Sequence, residues 1–218
     1  MKRSFLMGQP LFTNRKSGKI AVFSGFITVL FFILCLLFLD QQTVFYSTPL
    51  PLHTDFANGG PISALFYHLF ILMLVVFSGL VCRFARVNHW VEFREATLFT
   101  FIGYAFLFLR TFLLIFDTQS LYYILTAGVQ VLVALVGMLF YLITFISNPK
   151  AHPMAFLLGM DMMLYLLSVL FSVFSTEFIL PNFGTLLVTV ANVSIISLFF
   201  YWALKKDALT QELENTPS

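Results

Sequence analysis

The chain has 218 residues, of which 60% are apolar and only 10% are charged, and its net charge is +2. Soluble globular domains carry about 25% charged residues, so this composition excludes a protein with an ordinary water-exposed surface. The apolar residues, including 29 phenylalanines, form long blocks. Membrane β-barrels instead alternate apolar and polar residues along short strands, so the blocks predict helices surrounded by lipid.

Six of the apolar blocks are long enough to cross a bilayer, which takes about 20 residues of helix. Residues that favour turns, mainly Pro, Gly, Asn and Asp, separate the blocks. The third and fourth blocks are joined by only a few residues and should form an antiparallel hairpin. The sequence therefore predicts an all-α bundle of six transmembrane helices with no soluble domain. The predicted spans are Ile20–Leu39, Ile62–Cys82, Ala96–Phe116, Leu121–Ile146, Met154–Phe174 and Gly184–Leu204.

The segments outside the predicted spans are short. They include an N-terminal tail of residues 1–19, an outer loop of residues 40–61 and a C-terminal tail of residues 205–218. The first span is longer than the apolar region of a cleavable signal peptide, and Leu39-Asp40 offers no small-residue cleavage site. We therefore expect the first span to stay in the membrane as a signal-anchor.

Orientation follows from the Lys and Arg residues, because cytoplasmic loops of membrane proteins are enriched in them. With six spans, eleven of the twelve basic residues fall on one side of the membrane, and the opposite loops contain none. We therefore expect both termini in the cytoplasm. A bacterial inner membrane is the expected location, because no transit-type presequence is recognisable. The eleven residues are Lys2, Arg3, Arg15, Lys16, Lys19, Arg83, Arg86, Arg94, Lys150, Lys205 and Lys206.

Residues that carry catalysis inside membranes are scarce. Asp161 is the only acid deep within a predicted span, so no pair of carboxylates is expected at one depth. His68 is the only histidine within a span, and the sequence contains no metal-binding motif or glycine-rich phosphate loop. The sequence therefore predicts a protein that is not an enzyme, with no catalytic residue, cofactor or metal site.

Four polar side chains fall in the outer half of four different spans. Counted from the span ends, Arg110 and His68 lie about 9 Å deep, and Gln130 and Asn192 lie about 12–14 Å deep. One interpretation is an outward-open pocket in which Arg110 attracts an anion and His68 is a pH-sensitive neighbour. The other is a buried hydrogen-bond network that ties the helices together, or an Arg110 side chain that extends outward to Asp117.

Asp161 lies about 10 Å inside the fifth span from its cytoplasmic end, and about 10 Å from the predicted level of Arg110. An isolated acid at this depth can act in proton coupling, or it can stay neutral and form an interhelical hydrogen bond. The second interpretation is favoured because the acid is isolated. Eight tryptophans and tyrosines fall mostly toward span ends, as interfacial anchors do, and they are Trp90, Trp202, Tyr67, Tyr104, Tyr122, Tyr123, Tyr141 and Tyr201.

These patterns favour a non-enzymatic membrane component, a sensor-like or accessory subunit that binds a small ligand or a partner protein through its bundle. The alternative is a small transporter or channel for a small anion or an amphipathic solute. The expected partners are the lipid bilayer, a second membrane protein or another copy of the chain, and a small anionic or lipid-like ligand. Nucleic acid is not an expected partner.

Overall fold

The computed structural model of the chain describes residues 15–39, 60–116, 121–149, 151–174 and 183–214. The regular secondary structure in these stretches is α-helical, and each predicted span coincides with one helix over most of its length. The prediction of an all-helical protein with six helices is therefore confirmed. The helices are α1 (Arg15–Leu37), α2 (Pro61–Val87), α3 (Val91–Phe116), α4 (Leu121–Ser147), α5 (His152–Phe174) and α6 (Phe183–Glu214).

Four helices contain stretches that are long and apolar enough to cross a membrane. The described parts of α5 and α6 contain shorter apolar stretches, His152–Leu167 and Leu186–Trp202. These lengths and compositions are those of an integral membrane protein. The four long stretches are Gly18–Leu37, Pro61–Val87, Val91–Phe112 and Gly128–Ser147.

Some predicted segments lie outside the described residues. The outer loop, residues 40–61, does so except for its last two positions. The last helix, α6, continues ten residues past its predicted span to Glu214, so most of the predicted C-terminal tail is helical. The other segments outside the described residues are 1–14, 117–120, 150, 175–182 and 215–218.

A tight turn joins α2 to α3. The backbone N–H and the side-chain amide of Asn88 both donate to the carbonyl of Phe84, at 3.1 and 2.9 Å. His89 then adopts a left-handed conformation with φ 57°, and the N–H of Trp90 returns to the carbonyl of Ala85 at 3.0 Å. These bonds satisfy carbonyls at the end of α2 and reverse the chain, so α3 packs antiparallel to α2.

The six helices form a closed ring, in which each helix packs against its neighbours in the chain and α1 also packs against α6. The two helices α1 and α6 approach each other closely at Gly25, where a Cβ atom would lie only 1.9 Å from Ser197 Oγ. Further along the same seam, Gly18 of α1 faces the side chain of Leu204. Small residues in α1 therefore allow the first and last helices to meet.

The bundle is apolar on its outside and polar in places on its inside. Large apolar side chains such as Phe23 (68% exposed), Leu37 (72%) and Ile146 (75%) point away from the bundle. Polar side chains in membrane bundles usually face the interior, because lipid offers them no hydrogen-bond partners. The fully or nearly buried polar residues include Ser24, Thr28, Ser78, Thr97, Thr100, Arg110, Gln130, Asp161, Thr189, Asn192 and Ser197.

The described basic residues other than Arg110 lie at one end of the ring, which we call the basic end. This end is formed by the starts of α1, α3 and α5, the ends of α2 and α4, and the last third of α6. It also carries the Arg94–Glu95 ion pair. The basic side chains at this end are Lys19, Arg83, Arg86, Arg94 and Lys205. We call the other end of the ring the opposite end.

Candidate functional site

Asp161 of α5 is the centre of a buried cluster that joins three helices. Its carboxyl is 4% exposed. One carboxyl oxygen, Oδ2, accepts a hydrogen bond from the Tyr104 hydroxyl of α3 at 2.5 Å, and the other, Oδ1, accepts one from the Thr189 hydroxyl of α6 at 2.6 Å. Both oxygens therefore have a hydroxyl partner, each from a different helix.

Two small cavities lie on either side of this cluster, and Asp161, Tyr104 and Thr189 line both of them. The larger cavity has a volume of about 30 Å³ and also reaches Gln130. The smaller one has a volume of about 10 Å³. A buried water needs roughly 10–15 Å³ and two to four polar partners, so the larger cavity has room for one water or two and the smaller is close to the lower limit. The polar lining of the smaller cavity also includes Ser78, Thr97, Thr100, Tyr141 and Asn192.

Polar contacts continue from the smaller cavity towards the basic end. The hydroxyls of Thr100 and Tyr141 are 2.5 Å apart and link α3 to α4. The side-chain amide of Asn192 donates to the carbonyl of Leu157 at 2.9 Å and links α6 to α5. Thr97 donates to the carbonyl of Phe93 within its own helix at 2.9 Å. The half of the bundle nearer the basic end is therefore not purely apolar.

Arg110 and Gln130 meet on the opposite side of the Asp161 cluster. The guanidinium of Arg110 is 1% exposed, and its NH1 group donates to Gln130 Oε1 at 3.2 Å. Arg110 follows Tyr104 by six residues on α3, which corresponds to about 9 Å along the helix axis. Gln130 lines the larger cavity, so this cavity joins the Asp161 cluster to the Arg110–Gln130 pair.

His68 of α2 lies between two backbone carbonyls. Its Nδ1 atom is 2.6 Å from the carbonyl of Ala64 on the same helix, and its Nε2 atom is 3.3 Å from the carbonyl of Thr111 on α3. A neutral imidazole can donate to only one of these carbonyls, whereas the protonated ring can donate to both. The edge of the ring also contacts Phe112.

The four side chains of the predicted outer layer occupy two levels. Arg110 and Gln130 are in contact, and His68 reaches the backbone of Thr111, the residue after Arg110. Asn192 instead bonds the carbonyl of Leu157, which lies about one helical turn, or 6 Å, from Asp161 towards the basic end. The predicted depth of Asn192 was counted from the end of its span, whereas the Thr189–Asp161 bond fixes where α6 lies along α5.

Sequence reasoning missed the partners of Asp161. The sequence places Tyr104 and Tyr141 among the anchors at the membrane interface. In the structure both are instead buried inside the bundle, and both hydroxyls are hydrogen-bonded. A sequence pattern does point to this face of α3. Thr97, Thr100 and Tyr104 follow each other at intervals of three and four residues, which places them on one side of the helix.

Among the described residues, no group of three or more His, Cys, Asp or Glu side chains is arranged to hold a metal ion. Comparison with protein-family models, with curated proteins and with solved structures gives no match. Function therefore has to be inferred from the side chains themselves.

Proposed function

We propose that the chain crosses the membrane six times, with both termini in the cytoplasm of a bacterial cell. Three observations support this topology. The ring contains six antiparallel helices, its outer surface is apolar, and its described basic residues other than Arg110 gather at the basic end. Cytoplasmic loops are enriched in Lys and Arg, so the basic end is assigned to the cytoplasm and the opposite end to the outside.

The protein acts within this membrane as a non-enzymatic, sensor-like or accessory subunit that binds a small anionic or lipid-like ligand through its bundle. The observation that carries this proposal is the burial of the Arg110 guanidinium, held by Gln130 beside an interior cavity. A buried charge at membrane depth is costly and usually marks a ligand or ion site, or a partner contact. His68 adds a second polar group near the same level, since its Nε2 atom lies 3.3 Å from the carbonyl of Thr111, the residue after Arg110.

A second candidate function is transport of a small anion or an amphipathic solute. It is favoured by the polar contacts on both sides of Asp161, which extend from Arg110 to Thr97 along α3. A carrier needs polar groups through both halves of the bundle. Six unbroken helices, on the other hand, favour the sensor-like function, since many transporters use interrupted helices at their binding sites.

The Arg110 site is tested by anion-dependent thermal stability of purified protein in mild detergent. Inorganic phosphate, acetate and chloride serve as probes. A bound anion at 100 times its Kd stabilises the folded state by about 2.7 kcal/mol, which raises the melting temperature. We expect at least one probe to stabilise the natural protein and to leave Arg110→Gln unaffected. Arg110→Lys should keep part of the response, because it retains the charge without the planar guanidinium.

Arg86→Gln is the matched control, since Arg86 is an exposed arginine at the basic end. It should respond to the anion as the natural protein does. A large loss of stability in Arg110→Gln without any anion, combined with no anion response in the natural protein, would assign Arg110 to helix packing alone. That result would remove the ligand from the proposal.

A further inference from the structure

Asp161 is not needed by an anion site at Arg110, yet its carboxyl joins three helices through two side-chain hydrogen bonds. We propose that Asp161, with Tyr104 and Thr189, is a proton-binding site on a hydrated route between the two ends of the bundle. This inference goes beyond the proposed function and does not depend on a ligand at Arg110.

The partners of Asp161 suit a group that changes its protonation state. A hydroxyl is both a donor and an acceptor, so Tyr104 and Thr189 can donate to a carboxylate or rotate to accept from a carboxylic acid. An arginine or a backbone N–H could only donate and would therefore favour the charged form alone. Both contacts are short, 2.5 and 2.6 Å, and stay within reach in either state.

The two cavities give Asp161 space for water on two sides. A hydronium ion in the larger cavity can pass one proton to a carboxyl oxygen of Asp161, which leaves a neutral water and a carboxylic acid. The acid can then give this proton to a water in the smaller cavity and become a carboxylate again. Residues with polar side chains border each cavity, namely Gln130 in the larger and Thr100, Tyr141 and Asn192 in the smaller, while most of the cavity surface is apolar.

Polar groups continue the route beyond both cavities. On α3 alone, the buried polar side chains from Thr97 to Arg110 cover about 20 Å of a hydrocarbon core that is about 30 Å thick. The Thr97 hydroxyl also donates to the backbone carbonyl of Arg94, and the side chain of Arg94 forms the ion pair at the basic end. Towards the opposite end, the larger cavity leads to Gln130 and Arg110.

Few other titratable groups face this site in the described structure. Tyr104 approaches from α3 and Tyr141 from α4. Tyr165, which belongs to α5 like Asp161, lines the larger cavity. The cavity-lining residues of α2 and α6 carry no titratable side chain. The nearest described charged side chain is Arg110, which lies about one and a half helical turns beyond Tyr104 on α3. A proton taken up in this part of the bundle is therefore expected to reside on Asp161.

Infrared difference spectroscopy between high and low pH, on protein reconstituted in phosphatidylethanolamine–phosphatidylglycerol membranes, tests the site. The natural protein should show a carboxylic-acid carbonyl band that grows as pH falls and shifts in D₂O, because water reaches the proton. Asp161→Asn should lose this band. Glu92→Gln, a matched carboxyl-to-amide control at the start of α3, should keep it. Absence of a titrating band, or a band that does not shift in D₂O, overturns the proposal.

Proton flux into the same vesicles tests the route, with an internal pH dye and a potassium gradient plus valinomycin as the driving force. We expect flux above that of protein-free vesicles, and loss of this excess in Asp161→Asn and Thr189→Val. Thr144→Val is the matched control, since Thr144 is buried but bonds only its own helix at Phe140. Asp161→Glu should restore part of the flux. Flux equal to that of protein-free vesicles, or an equal loss in Thr144→Val, contradicts the route.

Discussion

The Asp161 carboxyl receives one hydroxyl from each of two neighbouring helices, so its removal leaves two buried hydroxyls without their acceptor. A buried polar group that loses its partner costs about 1–3 kcal/mol in proteins generally. Hydrogen bonds inside membrane bundles contribute less, on average about 0.6 kcal/mol, because the separated helices also find partners. The effect on stability therefore depends on whether the replacement can still accept.

We predict that Asp161→Asn unfolds at a higher temperature than Asp161→Leu. Asparagine keeps one carbonyl oxygen that can accept from Tyr104 or Thr189, whereas leucine keeps none. The difference should be about 0.6 kcal/mol, measured by thermal unfolding of both variants in the same detergent. Equal melting temperatures would show that these hydrogen bonds do not stabilise the bundle, and would leave proton binding as the reason for an acid at this position.

The sequence identifies some residues of the interior and not others. Arg110, Gln130 and Asp161 stand out because charged and amide side chains are rare in apolar spans. Tyr104 does not stand out, since tyrosine is common at both interfaces and interiors of membrane bundles. Its pairing with Asp161 depends on how α3 and α5 are rotated and how far they slide past each other, and neither quantity follows from hydropathy.

At the scale of the helices, apolar length predicts where a chain enters the membrane but not where a helix ends. The apolar block of α2 ends at Cys82, whereas the helix continues through Arg83 and Arg86 to Val87. Backbone hydrogen bonds hold a helix equally well once it has left the lipid, and charged side chains are then solvated. The same reason accounts for the extension of α6 past Leu204.

The seam between α1 and α6 is tested by Gly25→Ala. The new methyl would lie 1.9 Å from Ser197 Oγ and 3.2 Å from a ring carbon of Phe77, so either the Ser197 side chain must rotate away from its bond to Val193 or the two helices must move apart. Overpacking of this kind costs about 1–3 kcal/mol, which we expect as a lower melting temperature. Gly25→Ala combined with Ser197→Ala should recover part of the loss.

Gly128→Ala provides the control for this seam, since no atom of the described residues would lie within 4 Å of its new methyl. Alanine favours a helix over glycine by about 0.8–1.0 kcal/mol, so this variant should be as stable as the natural protein or more stable. If Gly25→Ala behaved in the same way, α1 and α6 could not be packed as closely as the structure has them.

For the molecule as a whole, the proposed topology predicts which positions are reached from each side. Single cysteines at Thr54 or Thr118, in a background carrying Cys35→Ala and Cys82→Ala, should react with a membrane-impermeant maleimide in intact cells. Cysteines at Asn88 or Asn148 should react only after permeabilisation, because they follow helices that end at the basic end. Labelling of the Asn88 position in intact cells would contradict six spans with cytoplasmic termini.

The contact between α1 and α6 sets a requirement on biosynthesis. At about 5–20 residues per second, a ribosome takes roughly 10 to 35 s to pass from Gly25 to Ser197, and α1 must wait in the membrane for this time. The hydroxyls on the waiting surface bond within their own helices, Ser24 to the Ala21 carbonyl at 2.8 Å and Ser197 to the Val193 carbonyl at 2.7 Å. Neither of these two hydroxyls therefore needs the other helix as a hydrogen-bond partner, so the seam between α1 and α6 can close last without leaving either hydroxyl unsatisfied while α1 waits.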